Sequence, residues 1–251
     1  MKAVVLAGGR GTRLAPYTNV MPKPLVPIGD MPILEVLLRQ IKCAGITEVV
    51  LTVGHLAGLL RTYFGEGTRL GLQISYAEED HPLGTAGPLA DVPDLRDAFL
   101  VTNGDVLTDL QLRDLVAFHR SRGGTATIAV HKRQIRVDLG VVEWNGDGTV
   151  SGYVEKPTFD YTVSMGIYVF EPRVLEYIPR GQYLDFPDLV LRLLASGEQI
   201  NGFLFDGYWM DLGRRADYEQ AALDFEKLRH QFLPDEGSAG SSMDASADEV
   251  V

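Results

Sequence analysis

The chain reads as an α/β protein, a mixed and mainly parallel sheet flanked by helices, with an antiparallel β region inserted in its second half. Three observations carry that reading. Short apolar runs at residues 2–7, 48–53, 72–77 and 98–103 each lead into a turn or a helical stretch, the alternation expected of βαβ units. From about Thr125 onward, strand-like segments follow one another closely across turn signals such as Asn145-Gly-Asp-Gly148. The 251 residues are 45% hydrophobic and 23% charged, which suits one large folded domain and excludes a disordered or fibrous chain.

Residues 2–7 form an apolar run that ends abruptly at Gly8-Gly-Arg-Gly11, as a buried strand does on leaving a sheet into a tight loop. Between Ile33 and Cys43 the apolar positions 33, 34, 37, 38 and 41 recur at helical spacing, and Leu110 to His119 repeats the pattern. Strands are expected at Thr125–Val130, Gly140–Trp144, Thr149–Val154 and Val163–Phe170, and a short one at Gly202–Phe205. Helices are expected near Pro187–Ala195 and Arg214–Arg229, with Trp209 to Gly213 as a turn before the last one. Residues 1–234 are therefore read as a single domain, in which 214–234 is a C-terminal helix. Residues 235–251 are Ser, Ala, Gly and acid, too poor in large apolar groups to offset ordering entropy. A disordered acidic tail is expected there, and truncation after Pro234 should leave activity and melting temperature nearly unchanged.

Charge narrows the function. The net charge is −11, of which the tail carries −5, and a chain of that sign is a poor nucleic-acid or anionic-membrane binder. Yet Lys2, Arg10, Arg13 and Lys23 all precede the first acid, Asp30, so the glycine-rich entrance is basic and suits a small anion. The single Cys43 forms no internal disulfide, and the five histidines show no zinc-ligand spacing. No window approaches about 20 apolar residues, and the run after Met1 lacks the features of a secretion signal, so a cytoplasmic protein is expected.

The loop Gly8-Gly-Arg-Gly-Thr-Arg-Leu14 is the first chemical signal, because glycines let backbone N–H groups converge on phosphate oxygens, with Arg13 as a fork-shaped partner. A dinucleotide fingerprint would need glycine where Leu14 stands and an acid where Val53-Gly54 lies. A P-loop would need a Gly-Lys pair, which the sequence lacks. Pro22-Lys-Pro24 stiffens the backbone around Lys23 in an extended segment. Asp105 follows the strand ending at Asn103, where ligands of open sheets bind. Each of these alone would pass as a tight turn or a surface loop.

Together and in order they are more specific. Gly8-Gly-Arg-Gly-Thr-Arg-Leu-Ala-Pro16, Pro22-Lys-Pro24, Gly104-Asp105, Glu155-Lys-Pro157 and Trp209-Met-Asp-Leu-Gly213 resemble the sugar-1-phosphate nucleotidylyltransferases, over about residues 1–225. Gly84-Thr-Ala-Gly-Pro88 is similar to the mannose-1-phosphate guanylyltransferase branch and to related heptose-1-phosphate enzymes.

The resemblance implies the Rossmann-like nucleotide-diphospho-sugar transferase fold, with residues 1–123 mainly binding nucleotide and 124–213 mainly binding sugar phosphate. It implies that Leu6, Ala7, Gly8, Gly9, Gly11, Thr12 and Arg13 line the nucleoside triphosphate, with Gly84 and Thr85 near base and ribose. Arg13 and Lys23 would act on the reacting phosphates, and Asp105 and Asp211 would hold Mg2+. Gly140, Glu155, Lys156 and Ser164 would bind the sugar phosphate, Gly140 lying under the sugar. Ser164 stands where many members have Asn, and Leu139 where Tyr commonly precedes the glycine, so the sugar is the open question. The sequence lacks the C-terminal left-handed β-helix of longer members, so a coupled acetyltransferase is not expected, while a homo-oligomer is left open.

The residue types suit attack by a sugar 1-phosphate on the α-phosphorus of a nucleoside triphosphate, since that nucleophile is already ionised at pH 7. Arg, Lys, metal and backbone N–H groups are what such a step requires. The resemblance at Gly84 to Pro88 implies mannose or heptose 1-phosphate as the favoured acceptor. Glucose 1-phosphate thymidylyl or uridylyl transfer, cyclitol 1-phosphate transfer and a silent nucleotide-sugar-binding homologue remain as alternatives. Glu79 points to GTP. Thymidylyl- and many uridylyl-transferring relatives have Gln at this spacing before the base-binding glycine, and a carboxylate accepts from guanine N1–H and N2 while it repels a pyrimidine carbonyl. The run Glu78-Glu-Asp80 leaves open that Glu78, or neither glutamate, meets the base.

Overall fold

A computed structural model of the chain describes residues 1–9 and 11–233, and the expected acidic tail at 235–251 lies outside them. The first half runs β1 (Lys2–Leu6), β2 (Pro27–Ile28), β3 (Met31–Pro32), α1 (Ile33–Cys43), β4 (Glu48–Val53), α2 (Ala57–Phe64), β5 (Gln73–Glu78), β6 (Phe99–Asn103), β7 (Val106–Thr108) and α3 (Leu112–Arg122). The second half runs β8 (Ala126–Arg136), β9 (Gly140–Trp144), β10 (Val150–Glu155), β11 (Thr158–Phe170), α4 (Phe186–Ala195), β12 (Ile200–Phe205), β13 (Trp209–Asp211) and α5 (Arg215–Phe232).

Seven strands form one sheet in the order β12-β8-β11-β6-β1-β4-β5. The pairs β1–β4, β1–β6, β4–β5 and β12–β8 are parallel, whereas β11 runs antiparallel to both β6 and β8. The α/β expectation with an antiparallel insertion is met. Ala3, Val4, Val5, Phe99, Leu100 and Val101 are fully buried, as strands covered on both faces require. On one face Leu34, Leu37, Leu38 and Ile41 of α1 pack with Leu60 and Phe64 of α2. On the other, Phe170 and Tyr168 stack on Phe186 at the start of α4, with ring centroids 5.8 and 4.4 Å apart. A third cluster lies under α5, where Phe225 and Phe232 meet Ile33, Leu107 and Leu212.

Strand order locates the site. The chain moves outward from β1 through β4 to β5, then returns to the other side of β1 as β6. In open α/β sheets, ligands bind beyond the carboxyl ends of the strands at such a reversal. The glycine loop leaves β1 there, and Asp105 leaves β6 beside it.

Two features depart from the sequence expectation. Trp209 to Asp211 is a strand and not a turn: β13 pairs antiparallel with β7, Asp211 opposite Val106. Strands β8 and β11 also run beyond the expected segments, pairing from Thr158–Arg136 inward, because their outer halves leave the core and hold each other through backbone hydrogen bonds and not through an apolar face. With the separate β9–β10 pair, these outer halves form a lobe above the carboxyl ends of the parallel strands.

Candidate active site

The glycine loop is shaped by close approaches on both sides. A Cβ at Gly8 would lie 3.0 Å from Glu79 Oε1 and 3.4 Å from the Gly54 nitrogen, so no side chain fits there without displacing Glu79. Gly11 has φ +61°, a left-handed conformation that favours glycine, and its carbonyl accepts from Thr18 Oγ1 at 2.8 Å. A short 3-10 turn follows at Thr12–Leu14, with Leu14 buried beneath it. Arg13 thereby faces Gly213: a Cβ there would lie 3.4 Å from Arg13 Nη2 and 3.1 Å from Asp211 Oδ2.

Lys23 is only 8% exposed. Pro22 is extended as expected, but Lys23 itself opens a 3-10 turn, Lys23–Leu25, which carries the side chain inward. Its ammonium donates to Asp105 Oδ2 and lies 4.0 Å from Asp211 Oδ1. The two carboxylates, 106 positions apart by their numbering, are joined by the β7–β13 pairing, with Leu212 N–H donating to the Asp105 carbonyl at 3.1 Å. Burial raises the Asp211 pKa above the ordinary carboxylate value, and the neighbouring Asp105 charge raises it further, against the opposing pull of Lys23 and Arg13. Two acceptor-only carboxylates face one ammonium and one guanidinium.

That donor set suits a magnesium ion. Magnesium takes hard oxygen ligands and is commonly held by one or two carboxylates, with water and substrate phosphates completing the shell. Among the described residues there is no group of three or more His, Cys, Asp and Glu that could hold a metal ion.

Glu79 extends the β4–β5 ladder through its N–H to the Val53 carbonyl at 3.0 Å, which places its side chain over the loop at Gly8. Burial raises its pKa, while the Leu83 N–H donating to Oε2 at 3.0 Å and the nearby His81 oppose the rise. Glu78, by contrast, is exposed and pairs with Arg61 at 3.0 Å. Of the two glutamates, Glu79 is therefore the one beside the loop.

Gly84 and Thr85 dock on the start of α4. Gly84 has φ +80°, and a Cβ there would stand 2.5 Å from the Leu184 carbonyl oxygen. Asp185 Oδ1 accepts from Thr85 N–H at 2.9 Å and Thr85 Oγ1 at 3.1 Å, and Tyr183 donates to Oδ2 at 2.6 Å. Burial alone would raise the Asp185 pKa, but the bonds from Tyr183 and Thr85 outweigh it and hold it low. Sequence reasoning missed Asp185. Its only local signal is an acid before Phe186-Pro, a common helix start.

The remaining expected residues gather in the outer lobe. Gly140 pairs with Glu155 across β9–β10, and Tyr153 on the same face donates to Glu155 Oε2 at 2.9 Å. Lys156 follows with φ +46°, rare for a residue with a side chain, and is exposed. Ser164 sits at the irregularity where β11 loses register with β8, donating to the Tyr168 hydroxyl at 3.1 Å. Next to it, the Met165 carbonyl accepts from the Trp209 indole at 3.0 Å, which ties the lobe to the strand carrying Asp211.

The structure thus sets a glycine loop and a cluster of two carboxylates and two cations at the strand reversal of a Rossmann-like sheet. The chain belongs to the nucleotidyl transferase family, which it matches over residues 2–227. It is 39% identical over 229 residues to a mannose-1-phosphate guanylyltransferase of Mycobacterium tuberculosis, covering 88% of this chain and 64% of that one. It is 37% identical over 241 residues to a UTP–glucose-1-phosphate uridylyltransferase of Synechocystis sp., covering 88% and 62%. The chain thus spans less than two thirds of the length of these two relatives. A solved Bacillus anthracis structure, assigned as a glucose-1-phosphate thymidylyltransferase, superposes with TM-score 0.73 at 25% identity, covering 89% of this chain and 94% of that one. No helix among the described residues is long and apolar enough to cross a membrane.

Proposed function

We propose that the chain is a sugar-1-phosphate nucleotidylyltransferase. It would transfer a nucleotidyl group from a nucleoside triphosphate to a sugar 1-phosphate and release pyrophosphate, with GTP and mannose or heptose 1-phosphate as favoured substrates. The observation that carries the reading is the cluster of Arg13, Lys23, Asp105 and Asp211 beside the glycine loop. The relatives at 37–39% identity support it, and because one is named for UTP and one for mannose-1-phosphate guanylyl transfer, the choice of base rests on Glu79.

The chemistry asks the protein for little besides position and charge. The sugar 1-phosphate is already a dianion near pH 7, so no general base is needed. The glycine loop offers backbone N–H groups to the triphosphate, and Arg13 adds a planar fork. Lys23 is held out of water beside the carboxylates, where its charge opposes the negative charge on departing pyrophosphate more strongly than an exposed lysine would. Asp105 and Asp211 would hold Mg2+, which when bound supplies neutralising charge and an oxygen template for two polyanions. Lys156 and Glu155 would hold the sugar phosphate and its hydroxyls, and Ser164 would border the same pocket.

A grid of GTP, UTP, dTTP, CTP and ATP against glucose, mannose, heptose, N-acetylglucosamine and cyclitol 1-phosphates, with Mg2+ and read by pyrophosphate release, tests this. Release requiring both substrates, and strongest for GTP with mannose or heptose 1-phosphate, is expected. Ligand binding without release anywhere in the grid would mean a silent binding protein.

A further inference from the structure

Among the described residues the β9–β10 pair is a two-stranded sheet with no third strand, and a lone hairpin of this kind is marginal in water unless one face finds a partner. Its pairing puts Gly140, Val142, Tyr153 and Glu155 on one face. Tyr153 is 63% exposed, yet it is not free: a Cβ added at Gly140 would collide with its hydroxyl and ring, and the hydroxyl donates to Glu155 Oε2 at 2.9 Å. The phenol end of the side chain lies against Gly140, while most of the residue's surface stays exposed. Leu139, where a tyrosine commonly precedes this glycine in the sequences the chain resembles, points 73% of its surface to solvent. The aromatic group near Gly140 therefore comes from the neighbouring strand.

We infer that Tyr153 is a sugar-selecting residue. Its ring forms the floor on which a pyranosyl phosphate lies, in place of the Gly140 backbone, and its hydroxyl fixes one oxygen of Glu155 so that Oε1 is turned to the sugar hydroxyls. This rests on the proposed nucleotidyl transfer and deepens it. A tyrosine ring offers a broad apolar face with a polar tip, which suits a sugar whose axial C–H groups form an apolar face and whose equatorial hydroxyls point to the rim. The Tyr153–Glu155 bond has a charged acceptor, the class whose loss is felt most in binding.

The test uses the full chain and the sugar 1-phosphate that the wild type uses best. Tyr153→Ala should raise KM for that sugar phosphate about thirtyfold, with kcat falling less and KM for the nucleotide changing by less than about twofold. Tyr153→Phe keeps the ring and loses the bond, so its KM should lie between, raised about three- to tenfold. In a Glu155→Gln background, Tyr153→Phe should add less than in the wild type, because both changes break one bond. Melting temperatures should match the wild type, since the residue is exposed. Wild-type turnover with an unchanged sugar KM in both variants overturns the inference and leaves nucleotidyl transfer standing. Equal losses in nucleotide and sugar KM reduce Tyr153 to a structural residue and also overturn it. Absence of turnover by the wild type removes the reading on which the inference rests, and the inference with it.

Discussion

Asp105, in the turn between β6 and β7, and Asp211, at the end of β13, reach the same ammonium, and an ionised carboxylate has acceptor capacity beyond that one contact. Asp105→Asn and Asp211→Asn should each lower kcat about a hundredfold or more at saturating Mg2+, since one carboxylate would no longer anchor the ion. Lys23→Ala should act mainly on kcat, whereas Lys156→Ala should raise KM for the sugar phosphate far more than KM for the nucleotide. Turnover of Asp211→Asn at the wild-type rate across a Mg2+ titration would remove the two-carboxylate site.

Glu79 gives a pH prediction. Its pKa is raised by burial, so protonation begins at a higher pH than for an ordinary glutamate. Ionised, it only accepts; protonated, it donates and accepts as glutamine does. The GTP-over-UTP ratio of kcat/KM should therefore begin to fall at a higher pH than the titration of an ordinary glutamate would give, while Glu79→Gln should start about tenfold lower and stay flat across the same pH series. A wild-type preference for UTP, or parallel pH profiles, would take Glu79 out of the base pocket. Asp105, Arg13 and Glu79 were legible in the sequence because a strand end, a loop pattern and a fixed spacing mark them. Asp185 and Tyr153 were not, since their partners are Thr85, 100 positions away, and a glycine on another strand.

At the level of elements, the clasp between α4 and the segment holding Gly84 and Thr85 carries the next prediction. Thr85 Oγ1 accepts from Phe186 N–H at 2.9 Å while it donates to Asp185, and Ala86 and Gly87 N–H both donate to the Leu184 carbonyl. Moving α4 moves the segment. Asp185→Ala should raise KM for the nucleotide about tenfold with little change in sugar KM, and Asp185→Asn, which keeps an acceptor for Thr85, should recover most of it. Equal effects on both substrates would make the clasp a matter of stability alone. Helices α1 and α3 were readable from apolar spacing, and α4 and α5 were expected, all within three residues of their ends. Strands β7 and β13, of three residues each, were not, because a segment that short shows no period and its partner lies about a hundred residues away. The register that joins Asp105 to Asp211 was hidden for the same reason.

For the molecule as a whole, alternating apolar runs announced an α/β sheet, but strand order depends on pairings such as Ala3 with Leu100 that no local pattern encodes. The reversal between β1 and β6 gathers the glycine loop, Lys23, Asp105 and Asp211 at one end of the sheet. On the proposed function, a chain of net charge −11 would handle two polyanions because its cations are local and a bound metal would add its own charge. In the proposed transfer the bond broken lies between the α- and β-phosphorus of the nucleotide. Incubating the protein with Mg2+, a sugar 1-phosphate and GTP labelled either at the α- or at the γ-phosphorus tests it most directly. The expected result is α-label in the sugar nucleotide and γ-label in pyrophosphate, in equal amounts and only when both substrates are present. Transfer of γ-label to the sugar, or pyrophosphate released without sugar phosphate, would contradict it.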